Sequence, residues 1–303
     1  MLERTHTTAL RSQPADGEAA RVLRSVAIDS TLAISHTNEA NLLFAANWYT
    51  HLERAGVSNY AMIATDDQAY DRLLLKLPQR VVRCPSAISG VVAHSQHLRY
   101  RSAGWTRLMF AVPKMVRWVV RMGLDVLWMD TDVVALRDPF PIISELLGGA
   151  SSEQLGLLAS VDGRVPGDNL SECAVSYTSD PQWGRSAGGW KLCGGLFYIR
   201  QSPGARAFLR AWERSLASPA AGAKNQPHFN QALRETNLPL RVLPCEKFPN
   251  GYRYASDAWR AAQRRPPVLV HNNWIKGHEA KMKRFRAWGM WLANDSALYE
   301  LRK

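Results

Sequence analysis

Asp130 and Asp132 stand one residue apart at the end of the apolar run Val126-Leu127-Trp128-Met129. In extended chain, residues i and i+2 point to the same side. Two carboxylates held that way repel each other unless a positive group lies between them. A divalent cation meets the need, because Mg2+ and Mn2+ prefer oxygen ligands and commonly keep a phosphate in their shell. The pair therefore predicts a Mn2+ (or Mg2+) site carrying a diphosphate, at the carboxyl end of a strand, where open α/β sheets bind ligands. Two solvated loop carboxylates, one capping the next helix, would show the same three-letter spacing. The place after a buried strand favours the metal.

A second apolar run, Val268-Leu269-Val270, ends in His271, followed by Asn272, Asn273, Trp274, Lys276 and Gly277. A neutral imidazole would complete a Mn2+ shell of carboxylates and phosphate oxygens. Lys276 could neutralise phosphate, and Gly277 would let backbone come close to it. An isolated His is more often a satisfied core residue, but a polar cluster after a strand favours the ligand. Cys193-Gly194-Gly195 puts two glycines inside a strand, which marks either a bulge or the close approach of a ligand. Asn225-Gln226-Pro227 reads as a helix N-cap, or as amides facing a sugar. Phe248-Pro249-Asn250-Gly251-Tyr252 is a turn signal whose aromatics could stack on a sugar or a base. Lys114 is a candidate phosphate contact, or simply solvated.

These residues need a scaffold of alternating strands and helices. Strands are expected at Ser30 to His36, Asn59 to Ala64, Val81 to Arg83, Val126 to Met129, Leu155 to Val161, Leu192 to Arg200 and Val268 to His271. Helices are expected at Asn41 to Arg54, from Asp67 to about Leu77, Trp105 to Met122 with Pro113 as a kink or boundary, and Pro139 to about Leu147. Further helices follow at Pro203 to about Ala217, Gln226 to Glu235, and through the tail from Lys276 to Lys303. Such β-α-β alternation predicts an α/β fold, with a mixed, mostly parallel central sheet and helices on both faces. Residues 1–29, polar and rich in Thr, Ala and Arg at their start, are expected as a disordered lead-in. One domain then covers residues 30–303, with 30–135 as the nucleotide-binding half and 136–303 as the acceptor and donor-sugar half. The long stretch from Asp162 to Trp190 is the candidate acceptor surface or lid.

A chain of 303 residues can build a large core. Its formal net charge of +12 suits a diphosphate substrate. No zinc-finger spacing and no compact basic helix with interleaved aromatics appears, which disfavours nucleic acid as the partner. No stretch approaches the ~20 apolar residues of a membrane span, and no secretory h-region is visible. Cys84, Cys173, Cys193 and Cys245 could form two disulfides in an oxidising lumen, with three connectivities open, or stay thiols.

Four ordered blocks carry a resemblance. They are Val126 to Val134 with Arg137-Asp138-Pro139-Phe140, then Cys193 to Arg200, then Phe248 to Gly251, then His271 to His278. Together, and in order from about Thr31 to Leu292, they resemble the nucleotide-diphospho-sugar transferases of glycosyltransferase family 77. The resemblance implies a GT-A (Rossmann-like) fold and a Mn2+-dependent retaining glycosyltransferase. Its donor would be a UDP-sugar of the xylose, galactose or arabinose type, and its acceptor a hydroxyl of a glycan or glycoprotein. By the related family 8 pattern, His271 is the third metal ligand beside Asp130 and Asp132, and Lys276 is a diphosphate contact. Ser35, His36, Thr37 and Asp66 would hold the nucleoside, and Gly194 and Gly195 would line the donor sugar. Gln226 would sit near the anomeric carbon, with the leaving phosphate as proton acceptor. Related enzymes usually carry Asp where this chain has Asn225, which leaves an inactive nucleotide- or glycan-binding protein as the alternative. The family implies the Golgi lumen; with no anchor visible, the cytoplasm is the other expectation.

Overall fold

In the computed structural model, residues 14–85, 88, 102–161, 192–217 and 224–294 are described. The stretch expected as an acceptor loop, Asp162 to Trp190, lies outside them.

The apolar runs become strands of one seven-stranded sheet in the order β3-β2-β1-β4-β7-β6-β8. These are β1 (Thr31–Thr37), β2 (Tyr60–Ala64), β3 (Val81–Arg83), β4 (Asp125–Met129), β6 (Leu157–Val161), β7 (Leu192–Ile199) and β8 (Leu240–Val242). β3, β2, β1 and β4 run parallel, and β8 is parallel to β6. β7 lies antiparallel to both β4 and β6. The sheet is therefore mixed and mostly parallel, as the alternation predicts. A two-stranded ladder of β5 (Val133–Ala135) and β9 (Leu269–His271) stands beside it.

Burial explains why β4 reads as unbroken apolar sequence. Val126 and Trp128 enter the core under α1 (Pro14–Val26), α4 (Ala103–Val120), α6 (Pro203–Ser215) and α7 (Asn225–Thr236). Leu127 and Met129 enter the opposite core, under α2 (Leu42–Arg54), α3 (Asp67–Lys76) and α5 (Phe140–Leu147). A strand covered on both faces has no side left for polar residues. The carboxyl ends of β1, β2 and β4 consequently open on one edge, with Ser35, Asp66 and Asp130 at or just past those ends.

Several expectations are corrected. Residues 14–26 are not a disordered lead-in: they form α1, whose Ala19 and Leu23 are buried and whose Val22 and Val26 pack on the same core. The spacing 19, 22, 23, 26 is that of one helical face. Pro113 does not divide α4, which runs through it. Among the described residues of the tail, the helix is α10 (His278–Ala287), and residues 288–294 are not helical. Gly289 takes φ of +68°, and Met290 N–H returns to Phe285 O at 2.8 Å, a stop in which only glycine enters the left-handed region without strain. Two short helices, α8 (Gly251–Tyr254) and α9 (Asp257–Ala262), follow the Pro-Asn-Gly turn. Phe285 and Met290 of the tail bury Val134 and Val270, which fixes α10 over the β5–β9 ladder. Cys193 is a buried thiol, so two disulfides do not form. Among the described residues no helix is long and apolar enough to cross a membrane.

Candidate metal and donor site

Asp130 and Asp132 converge through a turn as well as through their spacing. Val133 N–H donates to Asp130 O at 2.9 Å, closing a four-residue turn between β4 and β5. The β5–β9 ladder then sets Val133 opposite His271, and Asn272 N–H donates to Asp132 O at 2.8 Å. The imidazole is thereby delivered to the carboxylates by backbone pairing. Donor atoms of Asp130, Asp132 and His271 all lie within 4.8 Å of one another.

Charge in this cluster is strongly organised. His271 Nε2 lies 3.4 Å from Asp132 Oδ1, and Lys281 Nζ lies 2.6 Å from Asp132 Oδ2. Burial opposes a charge on Asp132, but Lys281 and His271 outweigh it and hold its carboxyl well below the usual carboxylate range. Burial also opposes the imidazolium, yet Asp132 overrides it and lifts the His271 pKa well above 6.5. Asp130 goes the other way: burial, then the charge of Asp132, push it up to about 7. Like-charged neighbours that cannot both ionise cheaply are separated in this manner. Two carboxylates with an imidazole are a donor set that suits Mn2+ or Mg2+.

The second nitrogen of the imidazole faces Cys193 Sγ, 3.6 Å from Nδ1. With that N–H turned to sulfur, Nε2 is the nitrogen presented to the carboxylates. Gly195, next but one on β7, faces the same way: Asp130 N–H donates to its carbonyl at 2.8 Å. A Cβ on Gly195 would lie 2.8 Å from Asp130 Cγ and 3.0 Å from His271 Cε1, so only glycine lets the carboxylate rest on the strand. Gly194 faces the other side of β7, where a Cβ would meet Trp212, Phe229 and the Gln226 backbone at ordinary distances. The two glycines thus serve different faces.

The remaining residues singled out in the sequence spread along the same edge. Ser35 Oγ and His36 Nδ1 are buried at the end of β1 and find no hydrogen-bond partner among the described residues. His36 stacks on Trp128 at 5.5 Å between centroids, and burial lowers its pKa to about 4, leaving it neutral. Thr37 Oγ1 donates to Asn38 O at 3.1 Å. Asp66 has both oxygens in use, accepting Ala69 N–H at 2.7 Å as the cap of α3 and Glu39 N–H at 3.0 Å. Lys114 is half-buried on α4. Lys276 and Gly277 are exposed, and Gly277, with φ of +87°, leads into α10.

Asn225 is not the N-cap expected from its sequence; it begins the helix after Lys224. Its Nδ2 donates to Met109 O at 3.4 Å. Met109 is the residue four before Pro113, whose ring nitrogen has no proton to return to that carbonyl. The Asn225 amide supplies the missing partner.

The amine that meets the triad is that of Lys281, which the sequence does not single out. One signal was present: Lys281 and Arg284 lie three apart on α10, on one face. Arg284 Nε donates to Asn272 Oδ1, beside the ladder.

Comparison with known proteins gives the geometry a setting. The family model described as nucleotide-diphospho-sugar transferase matches residues 55–285. The UDP-D-xylose:L-fucose alpha-1,3-D-xylosyltransferase 1 of Arabidopsis thaliana is 28% identical over 293 residues, covering 93% of this chain and 76% of its own. The UDP-galactose:fucoside alpha-3-galactosyltransferase of Dictyostelium discoideum is 23% identical over 216 residues, 66% of this chain and 30% of the relative. Among solved structures, the galactosyltransferase LgtC in complex with donor and acceptor sugar analogs matches with a TM-score of 0.50 and 12% identity. That match covers 89% of this chain and 94% of the other, and it identifies the GT-A fold.

Proposed function

The chain belongs to the nucleotide-diphospho-sugar transferases, and from that membership we propose that it moves a sugar from a UDP-sugar to a hydroxyl of a glycan or glycoprotein, with retention of configuration and a divalent cation. The observation that carries this reading is the convergence of Asp130, Asp132 and His271 from separate strand ends. Two relatives named for transfer to L-fucose or a fucoside, from UDP-xylose and UDP-galactose, supply the first donors and acceptors to try.

When bound, the cation is a Lewis acid that polarises the donor diphosphate. The chain's own residues do the rest. Asp130, Asp132 and His271 hold the ion; Cys193 orients the imidazole; Lys281 adds a second positive charge beside the phosphates. Gly195 keeps backbone rather than side chain under the site. Ser35 and His36 offer buried polar atoms to the nucleoside, a reading supported by their having no partner among the described residues. Gln226, the second residue of α7, is the amide assigned to the donor sugar.

The test is a thermal-shift screen of UDP, UDP-xylose, UDP-galactose and UDP-arabinose, each with and without Mn2+. A ligand at about 100 times its Kd stabilises the native state by about 2.7 kcal/mol, so the donor should stand out, and only with the ion present. Absence of any Mn2+-dependent shift rejects the reading. A shift with no sugar transferred to fucoside or water would identify a binding protein instead.

Metal affinity should rise with pH. The His271 pKa is raised, so at neutral pH the ion must expel a proton from the imidazole; below about pH 7 it must also expel one from Asp130. The logarithm of the apparent Mn2+ association constant should climb with a slope near two below that point and near one above it. Calorimetric titration at about pH 6, 7 and 8 measures this; a flat profile argues against these ligands.

A further inference from the structure

Trp274 stands three residues past His271, and it is 54% exposed. Its backbone sits at φ of +61°, in the left-handed region. A bulky side chain enters that region under strain and stays only where its surroundings impose it. They do so here. On one side Asn272 donates to Lys281 O at 3.0 Å, and Asn273 Oδ1 accepts Gly251 N–H at 2.7 Å. Arg284 donates to Asn273 O. A Cβ on Gly251 would run into Asn273 O and lie 3.0 Å from Asn273 C, so the two segments meet backbone to backbone.

That contact brings a second ring. Tyr252 is the second residue of α8, whose cap is the Asn250 side chain accepting Arg253 N–H at 3.0 Å. The Tyr252 and Trp274 centroids lie 5.6 Å apart at an interplanar angle of 52°. Both rings therefore hang on the frame that holds the His271 imidazole. Three residues of chain span at most about 10 Å, so Trp274 stays within one or two sugar lengths of the triad. A tryptophan placed for packing would be buried; this one turns half its surface to solvent beside a polar cluster, on strained backbone.

We propose that Trp274, with Tyr252 at its side, is a stacking platform for a sugar ring of the acceptor glycan. The C–H face of a sugar is apolar and carries partial positive charge, which matches the negative face of an indole. The charged groups of the site suit the diphosphate donor, whereas an uncharged aromatic surface suits a neutral acceptor. The proposal rests on the transferase reading given above, and its test separates the two.

Full-length Trp274→Phe, Trp274→Ala and Trp274→Gly variants are compared with the parent. Transfer is measured over a range of methyl α-fucoside, the thermal shift with UDP and Mn2+ in parallel, and fucoside binding by tryptophan fluorescence. Trp274→Ala should raise the acceptor KM about tenfold while the UDP–Mn2+ shift keeps its size. Trp274→Phe should recover most of the loss. Trp274→Gly, which relieves the backbone, should bind acceptor as poorly as Trp274→Ala despite greater stability. Fluorescence quenching by fucoside should disappear in Trp274→Phe. An unchanged acceptor KM in Trp274→Ala overturns the platform, and so does loss of the UDP–Mn2+ shift, which would put the nucleoside there. If the parent chain shows no UDP–Mn2+ shift, the transferase reading fails, and the quenching experiment alone decides whether a glycan stacks on Trp274.

Discussion

Asp132→Asn is expected to abolish measurable Mn2+ binding and to lower transfer by roughly 10³-fold, the scale set by several kcal/mol of lost Lewis-acid stabilisation. The side chain keeps its shape and its backbone bond to Asn272, so the ladder survives. What goes is the charge that answers both Lys281, at 2.6 Å, and the imidazole, at 3.4 Å. Removing one member of a buried pair costs about 3–5 kcal/mol; a Lys281 side chain a quarter exposed can turn to water, which argues for the lower end. Combining Asp132→Asn with Lys281→Met should recover much of the stability and none of the metal affinity. Urea denaturation and metal titration on the single and double variants check both halves. Wild-type Mn2+ affinity in Asp132→Asn would remove the carboxylate from the metal shell.

The second large effect belongs to a residue with no side chain. Gly195→Ala places a carbon on the carboxylate of Asp130 and 3.0 Å from His271 Cε1. One of the two must move, and displacement of about 1 Å at a reacting centre costs roughly 10²-fold in rate. Overpacking of this kind costs about 1–3 kcal/mol in stability. Gly194→Ala is the matched control, because a Cβ there meets nothing closer than 3.8 Å. Transfer rates at saturating Mn2+ should separate the two variants by about two orders of magnitude. Equal rates would mean that the space above Gly195 is not used.

Much of this architecture is legible in the chain, and what is missing has a physical cause. β4 announces itself because burial on both faces leaves no polar alternation, and the following carboxylates mark its exit. α1 shows its face in Ala19, Val22, Leu23 and Val26, but its polar average hides it. β5 and β8 are three residues each, too short for any periodicity, and β5 exists only because β9 arrives from more than a hundred residues later. The same ladder explains why the residues alone make His271 a suspect while only the family resemblance puts it beside Asp130: the register that joins them is a tertiary fact. Lys281 was hidden for a similar reason. A lysine on an exposed helical face looks solvated until the apolar pair Phe285 and Met290 pins that helix over Val134 and Val270.

The amide of Asn225 has one further consequence. It closes a gap that Pro113 leaves in a helix more than a hundred positions earlier, and a carboxylate, having no proton to give, could not. Asn225→Asp would therefore leave the Met109 carbonyl of α4 without its donor from α7. Exchanging Pro113 together with Asn225 returns a backbone N–H to that carbonyl, so the paired change separates the loss of a helix repair from any loss of chemistry.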